Sequence, residues 1–128
     1  MHTGRCECGA VAFQIDGELQ PATACHCSQC RRLSGHFWAG SWANTADLTF
    51  TRDDGLKWYD SSDWAERGFC KECGASLFYR LKSEGHRLSV AAGSLDQPTG
   101  LRLHRHIYMR DKGDYYDITD GLPQLEEY

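Results

Sequence analysis

The sequence lacks the segments that mark membrane, secreted and multidomain proteins. No apolar run approaches the roughly eighteen residues of a membrane span, and the first ten residues, MHTGRCECGA, lack the apolar stretch of a secretory signal. There are only three prolines among 128 residues, with no repeat and no Pro/Ser-rich linker. We therefore expect one cytoplasmic domain spanning residues 1–128, with no membrane partner.

Positive charge is also scarce. The chain carries 14 basic against 18 acidic side chains, for a formal net charge of −4. Short basic pairs occur, but no basic stripe accompanies them, whereas a nucleic-acid-binding face needs one. We expect no nucleic-acid partner.

An isolated cysteine is absent as well. Each of the seven cysteines has another within three residues, in the groups Cys6 and Cys8; Cys25, Cys27 and Cys30; Cys70 and Cys73. An odd number excludes a complete set of disulfides. Disulfides usually close long loops, whereas tight clusters suit ligands that hold one metal ion. In a reducing cytoplasm such cysteines are more often metal-binding or catalytic than bridged.

Glycine is plentiful and separates short segments with the pattern of strands. Val11, Phe13 and Ile15 alternate with more polar residues, and further strands are predicted over residues 37–42, 48–51, 56–59, 76–81, 88–92 and 101–107. Asp54-Gly55 and Glu84-Gly85 occupy positions typical of hairpin turns. One short helix is predicted over residues 28–33, ended by Gly35, and a second short turn over residues 61–66. The prediction is a mainly β domain of twisted antiparallel strands.

Seven thiols divide naturally into four and three. A structural zinc takes four protein ligands, and a catalytic zinc takes three and keeps one position open. Cys25, Cys27 and Cys30 are close enough in sequence to bind one ion as the chain turns into the helix. The remaining cysteines then form a closed site of two distant pairs: Cys6 with Cys8, and Cys70 with Cys73. Gly9 and Gly74 follow the two pairs, and bending around an ion often needs the positive φ that glycine allows.

The three-cysteine site has two interpretations. Its fourth position is either open to water or a thiol, or filled by a histidine such as His36 to give a second structural site. His26 lies between two ligand cysteines and is expected to point away. A redox role for Cys70-x-x-Cys73 would need a βαβ context, which is not predicted. A zinc deaminase would need His-x-Glu and Pro-Cys-x-x-Cys, and neither occurs.

An open zinc held by three thiolates favours thiol chemistry. Such a centre carries a net charge of about −1 and is a weaker Lewis acid toward water than a histidine-bound zinc. A thiol is a good fourth ligand and loses its proton on coordination. The hypothesis is a zinc enzyme that presents a small-molecule thiol to an electrophilic carbon. The alternative is a non-enzymatic, zinc-stabilised binding module.

Three further groups of side chains are weaker candidates. His104 and His106 on the last predicted strand are expected to share a face, either as packed or solvent-facing residues or with one of them as a proton donor. Four aspartates near the C-terminus are expected to be solvated: Asp111, Asp114, Asp117 and Asp120. Three aromatic residues are expected in the core rather than in a pocket: Phe37, Trp38 and Trp42.

The order and spacing of the cysteine motifs are those of a known family. The segments are GRCECGAV at residues 4–11, CHCSQCR at 25–31 and RGFCKECG at 67–74, followed by His106-Ile107-Tyr108, Tyr116-Asp117-Ile118 and residues 120–124. Over residues 4–125 the chain resembles the glutathione-dependent formaldehyde-activating enzyme family, whose domain is shared with centromere protein V.

The resemblance implies a fold, two zinc ions and an activity. The implied fold is a β-rich, Mss-four-like domain in which Cys6, Cys8, Cys70 and Cys73 bind a structural zinc and Cys25, Cys27 and Cys30 a catalytic one. The implied reaction is that of a carbon–sulfur lyase, in which the glutathione thiol adds to formaldehyde to give S-hydroxymethylglutathione. A small-molecule thiol and a small aldehyde are thus the expected partners.

Overall fold

A computed structural model describes residues 1–128 and contains ten strands and one α-helix. The strands are β1 (His2–Arg5), β2 (Ala12–Ile15), β3 (Ala22–Cys25), β4 (Trp38–Asn44), β5 (Leu48–Arg52), β6 (Leu56–Asp60), β7 (Ala65–Cys70), β8 (Ser76–Leu81), β9 (Arg87–Ala91) and β10 (Leu103–Ile107). The helix is α1 (Ser28–Ser34), and three single-turn 3₁₀ segments lie at Thr45–Asp47, Ala92–Ser94 and Met109–Asp111. The prediction of a mainly β fold is confirmed.

The strands form two sheets. One has three strands in the order β1-β2-β5, and the other has seven in the order β10-β3-β4-β9-β8-β7-β6. Every strand pair is antiparallel except β10 with β3, which is parallel. The predicted antiparallel arrangement therefore holds for all pairs but this one.

The hydrophobic core combines side chains from both sheets. Val11, just before β2, and Phe13 and Ile15 within it are all buried, as their alternation in the sequence predicted. The Phe13 ring meets the ring of Phe78 on β8 edge to face, with centroids 5.2 Å apart. Cys6 and Cys70 belong to the same buried cluster. Because Cys8 and Cys73 lie beside them, the four predicted ligands of the structural zinc are found at the edge of this core.

Helix α1 begins and ends at residues suited to those positions. Cys27 is the N-cap, and its Sγ accepts a hydrogen bond from the backbone N–H of Cys30 at 3.3 Å. Gly35 ends the helix in the left-handed region at φ 82°, which costs glycine little. The structure confirms the predicted helix and extends it by one residue. No helix of the structure has the length and apolarity to cross a membrane.

Three strands and one turn differ from the prediction. Strands β1, β3 and β7 were not predicted, and β7 begins inside the segment predicted as a second turn. Asp54-Gly55 does form a turn, but β5 pairs with β2 and β6 with β7, so the chain passes from one sheet to the other and no hairpin forms. Glu84-Gly85 does lie in the β8–β9 hairpin.

Candidate metal centres and active site

Four thiols meet beside the core, in what we call the four-cysteine cluster: Cys6, Cys8, Cys70 and Cys73. Their sulfurs all lie within 4.8 Å of one another. The Sγ of Cys8 is 3.7 Å from that of Cys6 and 3.7 Å from that of Cys70. A tetrahedral zinc with Zn–S bonds of about 2.3 Å spaces its sulfurs about 3.8 Å apart. The cluster therefore fits a closed, four-thiolate zinc site.

Tight turns aim these sulfurs inward. Gly9 and Gly74 adopt φ values of 82° and 81°, as predicted for glycines that follow ligand pairs. The Gly74 N–H donates to the Cys70 carbonyl at 2.7 Å. A hydrogen bond from the backbone N–H of Cys8 contributes most to lowering the pKa of the Cys73 thiol to about 6. The turns thus supply donors that favour thiolates, the form that binds metal.

The remaining thiols form a second group, the three-cysteine cluster: Cys25, Cys27 and Cys30. Cys25 ends β3, Cys27 caps α1, and Cys30 lies in its first turn. Their sulfurs also lie within 4.8 Å of one another, and no fourth Cys, His, Asp or Glu ligand atom joins the group. Hydrogen bonds from the Cys25 and Cys30 thiols hold the pKa of the Cys27 thiol far below its ordinary value. All seven cysteines are unbridged.

A buried arginine faces the three-cysteine cluster. Arg67 on β7 is only 4% exposed, and its Nη2 donates to the Sγ of Cys30 at 3.4 Å. Its Nε donates to the Oε1 of Gln29 at 3.0 Å. The guanidinium carbon lies 4.8 Å from the centroid of the Tyr79 ring. Because Arg67 stands three residues before Cys70, one strand serves both clusters.

A chain of hydrogen bonds runs through two buried histidines. His26 Nδ1 is 2.5 Å from the Tyr116 hydroxyl, and His26 Nε2 is 2.9 Å from His106 Nδ1. His106 Nε2 is in turn 2.8 Å from Asp120 Oδ2. His26 therefore points away from the thiols beside it, as predicted.

A family model described as glutathione-dependent formaldehyde-activating enzyme matches residues 1–111. The chain belongs to this family. An uncharacterised lyase of Schizosaccharomyces pombe is 25% identical over 123 residues, which cover 93% of this chain and 86% of the relative. The crystal structure of a Rhodobacter sphaeroides protein is similar in fold, with a TM-score of 0.63 and 24% identity over 96% of this chain and 98% of that one.

Outside the cysteines, the structure corrects one expectation. His104 and His106 do not share a face, because a register shift between Leu103 and Arg105 interrupts the alternation of β10. His104 is exposed and bonds Thr23 Oγ1 at 3.0 Å, whereas His106 is buried. The four aspartates are exposed as predicted, but Asp120 is also a partner of the buried His106.

The three aromatic residues expected in the core lie in two different places. Phe37 and Trp38 line a groove of about 670 Å³ with Leu33 and Ser34 of α1, whereas Trp42 is half-buried against Tyr79. No residue of the three-cysteine cluster lines this groove. The thiols and their buried cation, rather than this groove, therefore define the candidate active site.

Sequence reasoning missed the role of Arg67. In the sequence, Arg67 stands out only as part of the segment RGFCKECG, which assigns it no function. A charged residue inside a strand that leads into Cys-x-x-Cys was the available signal. A cation there needs a partner, and the spatial neighbour Cys30 lies 37 residues away.

Proposed function

We propose that this protein is a zinc-dependent enzyme of the carbon–sulfur lyase type, which activates a small-molecule thiol for addition to formaldehyde or a similar small aldehyde. The observation that carries the proposal is the three-cysteine cluster, where three thiols converge without a fourth protein ligand. The family description supports glutathione as the first thiol to test. The name of the yeast relative supports the lyase class.

Two zinc ions are proposed, with different roles. Cys6, Cys8, Cys70 and Cys73 would hold the structural ion, and Cys25, Cys27 and Cys30 the functional one. Zinc bound to three thiolates supplies a site where a substrate thiol loses its proton near neutral pH. The donor sets fit this assignment, because both consist only of sulfur.

The chain's own residues prepare this site before substrate arrives. The cap of α1 fixes Cys27 and Cys30 relative to each other through the 3.3 Å hydrogen bond between them. The hydrogen-bond chain from Tyr116 to Asp120 fixes the backbone between Cys25 and Cys27 by holding the buried His26 ring. A preorganised ligand set of this kind reduces the ordering that binding requires.

The proposed reaction balances without a further reactant. The sulfur of the ionised thiol forms a bond to the carbonyl carbon, and the carbonyl π electrons move to the oxygen. That oxygen takes up one proton, which equals the proton released by the thiol. Because such additions occur readily without a catalyst, only a modest acceleration is required of the protein.

NMR exchange spectroscopy of formaldehyde with glutathione tests the proposal. We expect zinc-loaded protein to accelerate the exchange, and Cys27→Ser to lose the acceleration while remaining folded. His104→Leu, which alters an exposed histidine outside both cysteine clusters, is the control and should retain the acceleration. Exchange no faster than in buffer would refute the proposed reaction.

Zinc-edge X-ray absorption provides an independent test. Added glutathione should bring a fourth sulfur to one of the two ions and leave the other unchanged. A second zinc with four protein ligands, unaltered by thiol, would contradict an open site and favour a binding module.

A further inference from the structure

The guanidinium of Arg67 is a buried cation without a carboxylate partner. None of the ion pairs in the structure includes it, although its side chain is almost fully buried. A buried charge is costly unless an opposite charge compensates it. The only anion-forming group to which it donates a hydrogen bond is the Cys30 thiol, at 3.4 Å from Nη2.

Several contacts fix the orientation of this guanidinium. The side-chain Oε1 of Gln29 accepts a hydrogen bond from Arg67 Nε at 3.0 Å. The side-chain Nε2 of Gln29 in turn donates to the backbone carbonyl of Ser61 at 3.0 Å, which anchors the amide. The rings of Tyr79 and Trp38 lie 4.8 and 5.7 Å from the guanidinium carbon. The Nη1 atom is buried without a partner, so the side chain is held by the rest of its contacts rather than by a complete set of hydrogen bonds.

We infer that Arg67 is a positioning residue of the three-cysteine centre, which donates a hydrogen bond to the Cys30 thiolate and supplies the counter-charge that allows a fourth thiolate to bind. The inference rests on the proposed function. Three thiolates on zinc already carry a net negative charge, and a substrate thiolate adds another. Groups that hydrogen-bond to metal ligands commonly change affinity at the metal by about 10–100-fold.

The neighbouring strand offers a matched control. Arg80 on β8 also lies over an aromatic ring, with its guanidinium carbon 3.7 Å from the Trp58 centroid. Unlike Arg67, it has a carboxylate partner, since Nε is 2.8 Å from Glu66 Oε1. Arg80→Met therefore removes an arginine and an aromatic contact without touching either cysteine cluster.

The test is a thiol titration of cobalt(II)-substituted protein followed by sulfur-to-cobalt charge-transfer absorption. The probes are glutathione and 2-mercaptoethanol, which has no carboxylate. We expect Arg67→Met to raise the dissociation constant of both thiols by at least about tenfold and to move the band to longer wavelength, with Arg67→Lys intermediate and Arg80→Met unchanged. The wavelength change is expected because a thiolate without its hydrogen-bond donor is easier to oxidise.

Each other outcome decides the inference. Unchanged affinity and absorption in Arg67→Met overturn it, and so does a loss confined to glutathione, since Arg67 would then recognise a substrate carboxylate. If the wild-type protein binds no thiol, the proposed function and the counter-charge role both fail, and the absorption of Arg67→Met against wild type still decides whether Arg67 donates a hydrogen bond to the Cys30 thiolate. If both Arg67 variants misfold, ¹¹³Cd-substituted wild-type protein must show scalar coupling between the metal and an Arg67 Nη proton; its absence overturns the inference.

Discussion

At the scale of single residues, two neutral rings leave the buried histidine pair one consistent arrangement of hydrogens. The Asp120 carboxylate only accepts, so His106 Nε2 must donate to it, and a neutral His106 then accepts at Nδ1. His26 consequently donates from Nε2 and accepts the Tyr116 hydroxyl proton at Nδ1. Burial lowers the pKa of His26 to about 4, which agrees with a neutral ring. The chain is thus a positioning network beside the cysteines, with its tautomers set by one aspartate.

Replacing His106 in this chain should lower the stability of the protein. In His106→Leu the His26 Nε2–H loses its acceptor, and an unsatisfied buried donor costs about 1–3 kcal/mol. We expect the free energy of unfolding of the zinc-loaded protein to fall by that amount in urea titrations. His104→Leu, which alters an exposed histidine on the same strand, should change it by less than about 0.5 kcal/mol. Equal losses would mean that the network does not stabilise the protein.

At the scale of elements, the turn between β5 and β6 is hydrogen-bonded to both segments that carry the four-cysteine cluster. The Gly55 N–H donates to the Ala10 carbonyl at 3.0 Å, and the Gly55 carbonyl accepts from the Lys71 N–H at 2.8 Å. Ala10 follows one cysteine pair and Lys71 lies within the other. This turn therefore joins both halves of the cluster through its backbone.

A methyl group at position 55 should disturb this junction. A Cβ there would lie 2.6 Å from Ala10 Cβ and 3.0 Å from Cys70 Sγ, so the backbone or the thiol must move. Overpacking of this kind costs about 1–3 kcal/mol, and we expect a lower melting temperature by differential scanning calorimetry. Gly85→Ala is the matched control, because its Cβ meets nothing within 4 Å. Indistinguishable melting temperatures would contradict the role assigned to this turn.

The elements also show what local sequence can predict. The alternation around β2 and the capped, glycine-ended α1 are recorded in neighbouring residues, and both were predicted. Strand β3, ATAC, is too small and short for a clear pattern, and the pairing of β10 with β3 depends on partners far apart in the chain. Strand β7 was hidden by Glu66 and Arg67. The two cysteine clusters were predictable from the number and grouping of the cysteines, whereas the cation beside Cys30 was not, because only the folded sheet brings Arg67 there.

At the scale of the whole molecule, the two clusters occupy different places in the architecture. The four-cysteine cluster joins the loop between β1 and β2 of the smaller sheet to the turn between β7 and β8 of the larger one. The three-cysteine cluster lies within one short segment, from the end of β3 to the first turn of α1. A metal in the first cluster restrains a long loop of the unfolded chain, and a metal in the second restrains only a few residues.

This difference predicts opposite consequences for two single-thiol variants. Cys70→Ser removes a fully buried sulfur that joins the sheets, so we expect unfolded or aggregated protein by circular dichroism. Cys27→Ser should keep the β-sheet spectrum and bind one zinc per chain instead of two, measured by elemental analysis. Both variants replace sulfur by oxygen at a proposed zinc ligand, so the size of the change is the same and only the location differs. Equal loss of structure would show that the clusters share the stabilising role, and the division into a structural and a functional site would then be wrong.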